Sequence, residues 1–230
     1  MKNTVIAACI AALALMLTTV FGGGGASQPA GAVTINPVVL VHGFTGSPSS
    51  MATLKANFEA QGRQAFSIDY NTENNVTNAS QLATFINDVK AQTGAAKVDL
   101  VVHSMGGLSS RYYLKNLGGT ANVSEFVSLG SPHYGVWSAC LLPTSFGGQM
   151  CPFSSFLSSL NSGDDTPGSL LYTTVYSTGD TTVPNSSSRL DGGACFKQVS
   201  GVSHSGLTTN ATVFSHVLAA VDGTCPGTFK

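Results

Sequence analysis

The stretch Val98-Asp99-Leu100-Val101-Val102-His103-Ser104-Met105-Gly106-Gly107 decides how this chain folds. Val98 to Val102 is apolar apart from one aspartate. A short run without polar alternation reads as a strand buried on both faces. It passes through a tight bend into a segment where Leu108, Tyr112 and Leu114 recur at helical spacing, closed by Gly118-Gly119. The same pattern extends in both directions. Upstream, Val38-Val39-Leu40-Val41 follows Pro37 as a buried strand bounded by Gly43. Ser50 is placed to cap a helix carrying Met51, Leu54 and Phe58, and Ala65 to Tyr70 reads as a second strand. After an Asn-rich loop comes a helix with Leu82, Phe85, Ile86 and Val89 on one face, ended by Gly94. Downstream, strands are expected over Val123 to Leu129, Leu171 to Tyr176 and Phe196 to Val199, the last of them, with a final helix over Thr212 to Val221. Strands alternating with helices predict βαβ units and a mostly parallel sheet covered on both faces, an α/β fold. One segment breaks the rhythm. From Val136 to about Gly168 there is no clear period, yet Leu141, Leu142, Phe146, Met150, Phe153, Phe156 and Leu157 lie there among small polar residues. These side chains favour an ordered excursion over a linker.

The strand–bend–helix also carries chemistry. A serine at such a bend projects its hydroxyl from the carboxyl edge of the sheet, which makes Ser104 the candidate nucleophile. The Met105 amide, at the helix start, points to where an oxyanion would form. The G-x-S-x-G pattern is incomplete, because Val102 stands where its first glycine belongs. A serine nucleophile needs a base, and His204 lies in Gly201-Val202-Ser203-His204-Ser205-Gly206, a loop after the last expected strand. In a parallel sheet that loop opens on the same edge as Ser104. The base needs an orienting carboxylate. Asp180 follows a strand and the turn Ser177-Thr178-Gly179, while Asp191, thirteen residues before His204, competes with it. His42-Gly43-Phe44 ends the first strand, and the Phe44 N–H supplies a second oxyanion donor; a plain strand-ending turn is the alternative there.

Composition narrows the classes further. Of 230 residues 43% are apolar and only 9% charged, and ten Lys+Arg against eleven Asp+Glu leave a net charge of −1. No basic stripe marks a nucleic-acid binder, and the hydrophobicity argues against disorder. Lys2 precedes an apolar run of sixteen residues, Val5 to Val20, followed by four glycines and Ala30-Gly31-Ala32. That order predicts a secretory signal over 1–32, with cleavage after Ala32 or, alternatively, after Ala26 or Ser27. The run is shorter than the roughly 20 residues a membrane span requires, so no stable membrane anchor is expected. Cys9 leaves with the signal. Cys140, Cys151, Cys195 and Cys225 then allow three disulfide connectivities, of which Cys140–Cys151 and Cys195–Cys225 are favoured for closing a short loop and tying down the tail. No cysteine or histidine spacing suggests zinc. Asp164-Asp165, the one pair in reach of a Ca²⁺, reads as a solvated loop, so neither metal nor cofactor is expected.

The motifs VVLVHGF (38–44), VDLVVHSMGG (98–107), YSTGD (176–180), SRLDG (188–192) and GVSHSGL (201–207) together resemble the α/β-hydrolase lipases and esterases, in particular small secreted bacterial lipases such as those of Bacillus and Streptomyces. In the Bacillus group the first elbow glycine is commonly alanine, so Val102 extends a known departure. The resemblance implies an α/β-hydrolase fold as a single minimal domain over 33–230. It makes Ser104, Asp180 and His204 nucleophile, acid and base, with Phe44 and Met105 as oxyanion donors. It further implies a secreted, monomeric triacylglycerol lipase acting on lipid esters at an oil–water interface, with no nucleic-acid partner. A short-chain carboxylesterase, a polyester depolymerase or an acyltransferase would carry the same triad. A non-catalytic binding protein on this fold is the reading from another class; such proteins usually lack a triad member, and here all three places are filled.

Overall fold

The computed structural model describes residues 35–230. The expected signal, with Lys2, Cys9 and Ala30-Gly31-Ala32, lies outside the described residues. The first strand, β1 (Val38–Val41), shows why its sequence does not alternate: all four residues are fully buried. Val38 and Leu40 pack with Met51, Leu54 and Phe58 and with Val213 and Val217. Val39 and Val41 point the other way, into Leu82, Ile86 and Val89 and onto Tyr113 and Leu114. The helices behind those contacts are α1 (Ala52–Ala60), α2 (Asn75–Thr93), α3 (Gly106–Asn116) and α6 (Ala211–Val221). Thus α1 and α6 cover one face of the sheet, and α2 and α3 cover the other. Burying each such aliphatic side chain contributes about 1.5–3 kcal/mol, enough to hold every strand in register against a one-residue slip.

The remaining strands are β2 (Ala65–Ser67), β3 (Val98–His103), β4 (Val123–Leu129), β5 (Leu171–Ser177), β6 (Ala194–Val199) and β7 (Thr228–Phe229). They form one sheet in the order β2-β1-β3-β4-β5-β6-β7, parallel except for β7, which runs antiparallel to β6. The chain leaves β1 toward β2, then crosses back to β3 on the opposite side. In open α/β sheets such a reversal opens a crevice at the carboxyl ends of the strands. Both the Gly43 turn and the Ser104 bend lie there.

Several boundaries differ from expectation. Ser50 does not cap α1; it lies within a 3₁₀ turn, Pro48–Met51, and its hydroxyl bonds back to the Ser47 carbonyl at 2.8 Å. β2 ends at Ser67 rather than Tyr70. β6 is not the last strand, because the tail beyond α6 returns to pair with it. A disulfide between Cys195 and Cys225, Cα atoms 5.5 Å apart, fixes that return. Helix ends follow local chemistry more closely. The Asn74 side chain caps α2 by accepting from the Val76 and Thr77 amides, and Gly94 ends it at φ 71°.

The aperiodic segment is ordered by contacts rather than by repeat. It folds into 3₁₀ turns at Trp137–Leu141 and Gly148–Met150 and a short helix, α4 (Ser155–Leu160), with Cys140 and Cys151 bonded across it. A second short helix, α5 (Asn185–Ser188), follows β5. Val136, Ala139, Met150, Phe156, Leu157 and Leu160 close over Met105 and Leu108 at the start of α3. The excursion is also anchored by charge. Arg111 of α3, 2% exposed, donates to Asn161 Oδ1 and to Asp165 Oδ1, each at 2.8 Å. Asp165 is therefore not solvated, contrary to the sequence expectation. Its second oxygen accepts the Tyr134 hydroxyl at 3.0 Å, while Asp164 caps the Thr166 amide at 2.9 Å.

Candidate active site

Ser104 sits at φ 54°, one of two non-glycine residues among those described with a positive φ. That conformation costs about 1–3 kcal/mol and persists only where its surroundings enforce it. The enforcement is visible on both sides of the bend. The Ser104 amide donates to the Leu129 carbonyl, and the Gly107 amide donates to the Ser104 carbonyl, each at 3.0 Å. A Cβ at position 106 would stand 2.5 Å from the His42 oxygen, and one at position 43 would stand 2.6 Å from the Ser104 Cβ. Glycine is required at both. Position 102 needs no glycine, because Val102 faces the α2/α3 side and is wholly buried there.

His204, at the head of a 3₁₀ turn after β6, joins the other two groups. Its Nε2 lies 2.9 Å from Ser104 Oγ, and its Nδ1 lies 2.7 Å from Asp180 Oδ2. The other Asp180 oxygen accepts the Thr182 and Val183 amides at 2.8 and 2.9 Å. Burial pushes the Asp180 carboxyl up, but the hydrogen bonds from His204, Val183 and Thr182 outweigh it and hold the pKa below the ordinary carboxylate value. Asp191 is exposed and bonds through its backbone amide to the Tyr134 hydroxyl, so the structure sets Asp180, not Asp191, against the histidine. Gly130 makes room for that contact: a Cβ there would stand 3.0 Å from Asp180 Oδ2.

The amides of Phe44 and Met105 flank Ser104 on the β1 and α3 sides, and neither has a hydrogen-bond partner among the described residues. Unpaired N–H groups beside a strained serine are what an oxyanion would require. Met105 is buried, whereas the Phe44 ring is partly open and packs edge-on against Phe146 with centroids 5.2 Å apart.

Sequence reasoning missed the groups that hold this arrangement. Ser177 Oγ accepts both the Gly179 amide at 3.1 Å and the Val202 amide at 3.0 Å, which stitches the aspartate loop to the histidine loop. The His103 Nε2 lies 3.0 Å from the His204 carbonyl. Burial and the neighbouring His204 push the His103 pKa down to about 4, so its ring is neutral and donates that bond. No periodic or motif signal marks either contact, since both depend on which loops meet. Among the described residues no group of three or more His, Cys, Asp or Glu side chains could hold a metal ion. The Arg111 and Tyr134 contacts already engage Asp165, the half of the Ca²⁺ candidate that faces inward.

Comparison with known proteins agrees with this architecture. The chain is similar in fold to lipase B of Aspergillus fumigatus, with a TM-score of 0.72 at 21% identity, covering 84% of this chain and 54% of that one. It is also similar to mature lipase BlEst2 of Bacillus licheniformis, with a TM-score of 0.69 at 20% identity, covering 82% and 93%. In sequence it is 29% identical over 149 residues to a triacylglycerol lipase of Burkholderia plantarii, or 56% of this chain and 41% of that protein. A triacylglycerol lipase of Pseudarthrobacter phenanthrenivorans is 29% identical over 114 residues, or 45% and 35%. The chain thus spans less than half the length of these two relatives. Over residues 35–217, which include the Phe44 turn, the Ser104 bend, Asp180 and His204, it matches the model of the family described as lipase (class 2), and it belongs to that family.

Proposed function

We propose that the protein is an exported triacylglycerol lipase that hydrolyses the carboxylic esters of lipids through an acyl-enzyme. The observation that carries this reading is His204 bridging Ser104 and Asp180 through its two ring nitrogens. Asp180 holds the Nδ1 proton, which leaves Nε2 as the acceptor for the serine proton. Ser104 Oγ attacks the ester carbonyl carbon while His204 Nε2 takes its proton. The carbonyl oxygen becomes an oxyanion, held by the Phe44 and Met105 N–H groups. On collapse the carbon–oxygen bond to the alcohol breaks, and the proton on His204 passes to the departing alkoxide. Water then repeats the sequence at the acyl-serine, releasing the fatty acid and restoring the serine.

Three observations favour a lipid substrate. Trp137, Leu141 and Phe153 are exposed large apolar side chains of the excursion, and Trp137 stacks edge-on against Phe153 with centroids 5.3 Å apart. Residues 126–163 contain no Asp, Glu, Lys or Arg, so this surface offers nothing to a charged ligand and suits an uncharged ester phase. The similar curated proteins are triacylglycerol lipases. Export is supported by the two disulfides, which persist in oxidising compartments.

The test is a p-nitrophenyl ester series of increasing chain length beside an emulsified triglyceride, with Ser104→Ala as the blank. The expected result is turnover of long-chain esters and emulsion by the wild type and none by the variant. Activity confined to short soluble esters would replace lipase with carboxylesterase, and turnover by Ser104→Ala would end the mechanism.

A further inference from the structure

The second non-glycine residue with a positive φ is Thr45, at φ 52°. It occupies the third position of a four-residue turn closed by the Gly46 amide donating to the Gly43 carbonyl at 3.0 Å. A type II turn needs this left-handed geometry at its third position and normally places Gly or Asn there, whereas a β-branched residue is strained. The second position of the same turn is Phe44, whose amide is one of the two unpaired N–H groups beside Ser104. A strained residue therefore adjoins an oxyanion donor, and something must keep the turn from relaxing.

Among the described residues two side chains from outside the turn bond to its backbone. His42 Nδ1 lies 3.0 Å from the Gly43 carbonyl at the start of the turn, and Glu73 alone reaches the Phe44–Thr45 peptide. Glu73 Oε1 accepts the Thr45 N–H at 2.9 Å, and this is the carboxylate's one hydrogen bond among the described residues. The bond fixes which way the Phe44–Thr45 peptide faces. Turning that peptide over would set the Phe44 carbonyl against the carboxylate, which charge repulsion opposes. The Thr45 hydroxyl reinforces the same state by donating to the Phe44 carbonyl at 2.8 Å. Glu73 is itself fixed from the far side, because its backbone pairs with Phe146 of the excursion and its carbonyl accepts the Gly147 amide at 3.4 Å.

We infer that Glu73 is a positioning residue for the reaction: its carboxylate holds the strained Thr45 turn in the conformation that aims the Phe44 N–H at the oxyanion, and its backbone ties that turn to the excursion. The inference rests on the acyl-transfer reading above. Without the carboxylate the turn samples relaxed conformations, and the Phe44 donor is in place for only part of the population. Transition-state stabilisation then falls while ester binding does not.

The experiment compares wild type, Glu73→Ala, Glu73→Gln and the double variant Glu73→Ala/Thr45→Gly on a soluble p-nitrophenyl ester, with melting temperatures measured alongside and Ser104→Ala as the blank. Glu73→Ala lowers kcat about tenfold or more with KM within about twofold, as expected for loss of an oxyanion donor. Glu73→Gln, which keeps an acceptor, loses about threefold or less. Adding Thr45→Gly to Glu73→Ala restores kcat to within about threefold of wild type, because glycine occupies the left-handed region without strain. The inference is overturned if Glu73→Ala turns over like wild type, if its loss appears in KM instead, or if Thr45→Gly rescues nothing. Should Glu73→Ala melt far below wild type, the Glu73→Gln value and the rescue by glycine still decide the matter. An inactive wild type, or an active Ser104→Ala, would instead remove the acyl-transfer reading itself.

Discussion

The carboxyl edge of the sheet and the excursion over 136–168 meet at Met105, yet they are held by different physics. At the edge, Ser104, Asp180 and His204 each follow a parallel strand of the sheet. Of these strands β3 is wholly buried and β5 nearly so, whereas β6 leaves Phe196 and Lys197 half-buried and Gln198 exposed. The positions of the three side chains come from the sheet register and from glycines whose Cβ atoms would collide with neighbouring backbone or side chains. The excursion has no strand beneath it. A disulfide, the buried Arg111 and a patch of apolar side chains closing over Met105 and Leu108 keep it in place. So do Lys115 donating to the Leu160 and Ser162 carbonyls, the Glu73 backbone paired with Phe146, and Gln149 accepting the Asn75 amide. The edge therefore tolerates little change of shape, while the excursion tolerates change as long as these anchors remain. On the proposed reading, chemistry belongs to the edge and substrate contact to the excursion.

This contrast can be broken or sharpened by experiment. The largest effect belongs to the edge. Asp180→Asn keeps the shape but offers an amide to His204 Nδ1, so the wrong tautomer is favoured and kcat should fall about 10⁴-fold. Steady-state kinetics on a soluble ester measure it, and a loss below tenfold would mean that Asp180 does not orient the base. The excursion should respond differently. Cys140→Ser/Cys151→Ser opens a short loop, and a disulfide of that span contributes about 3 kcal/mol. Turnover of a short soluble ester should stay within about threefold, while emulsion hydrolysis falls about tenfold and chymotrypsin nicking near Phe146 and Phe153 speeds up. Equal losses on both substrates would show that the two regions are not separable.

The smallest effect lies far from both. Burial, then the Asp99 carboxylate, pushes the Glu125 carboxyl up to about 7; burial pushes Asp99 up to about 6 despite Asn36 and Arg63. The folded chain thus keeps protons that the unfolded chain releases near pH 4. Stability should fall as pH rises from about 4 through about 7. Glu125→Gln should flatten that fall and melt a few degrees above wild type at pH 8. Parallel melting curves for the two proteins would refute this origin, and a change in kcat would show coupling between the two ends of the sheet.

Much of the edge was legible in the sequence for a physical reason. The buried strands β1 and β3 read as almost unbroken apolar runs, which marks the sheet as parallel, and the chain beyond every parallel strand must emerge at the same edge. That logic placed Ser104, Asp180 and His204 near one another before any coordinates. It failed where the partner is distant in sequence and the contact is polar. Ser177 accepting from Val202, His103 donating to the His204 carbonyl, and Glu73 accepting from Thr45 have no local pattern. β7 was missed because two residues carry no period, and its pairing depends on a disulfide. Asp165 looked solvated because its partner, Arg111, lies on a helix fifty-four residues earlier.

The glycines around Ser104 have a further consequence for how such a protein can change. Positions 43, 106, 107 and 130 are each closed to any larger side chain by a different neighbour: the Ser104 Cβ, the His42 carbonyl, Ser131, and the Leu207–Asp180–His204 contact. A substitution at any of them requires a second one elsewhere, so single-step variation is shut off around Ser104. Diversification must then run through the loops laid over it. In mutational terms the molecule is a fixed serine bend with an exchangeable cover, and libraries directed at the cover should yield far more active variants than libraries directed at the bend.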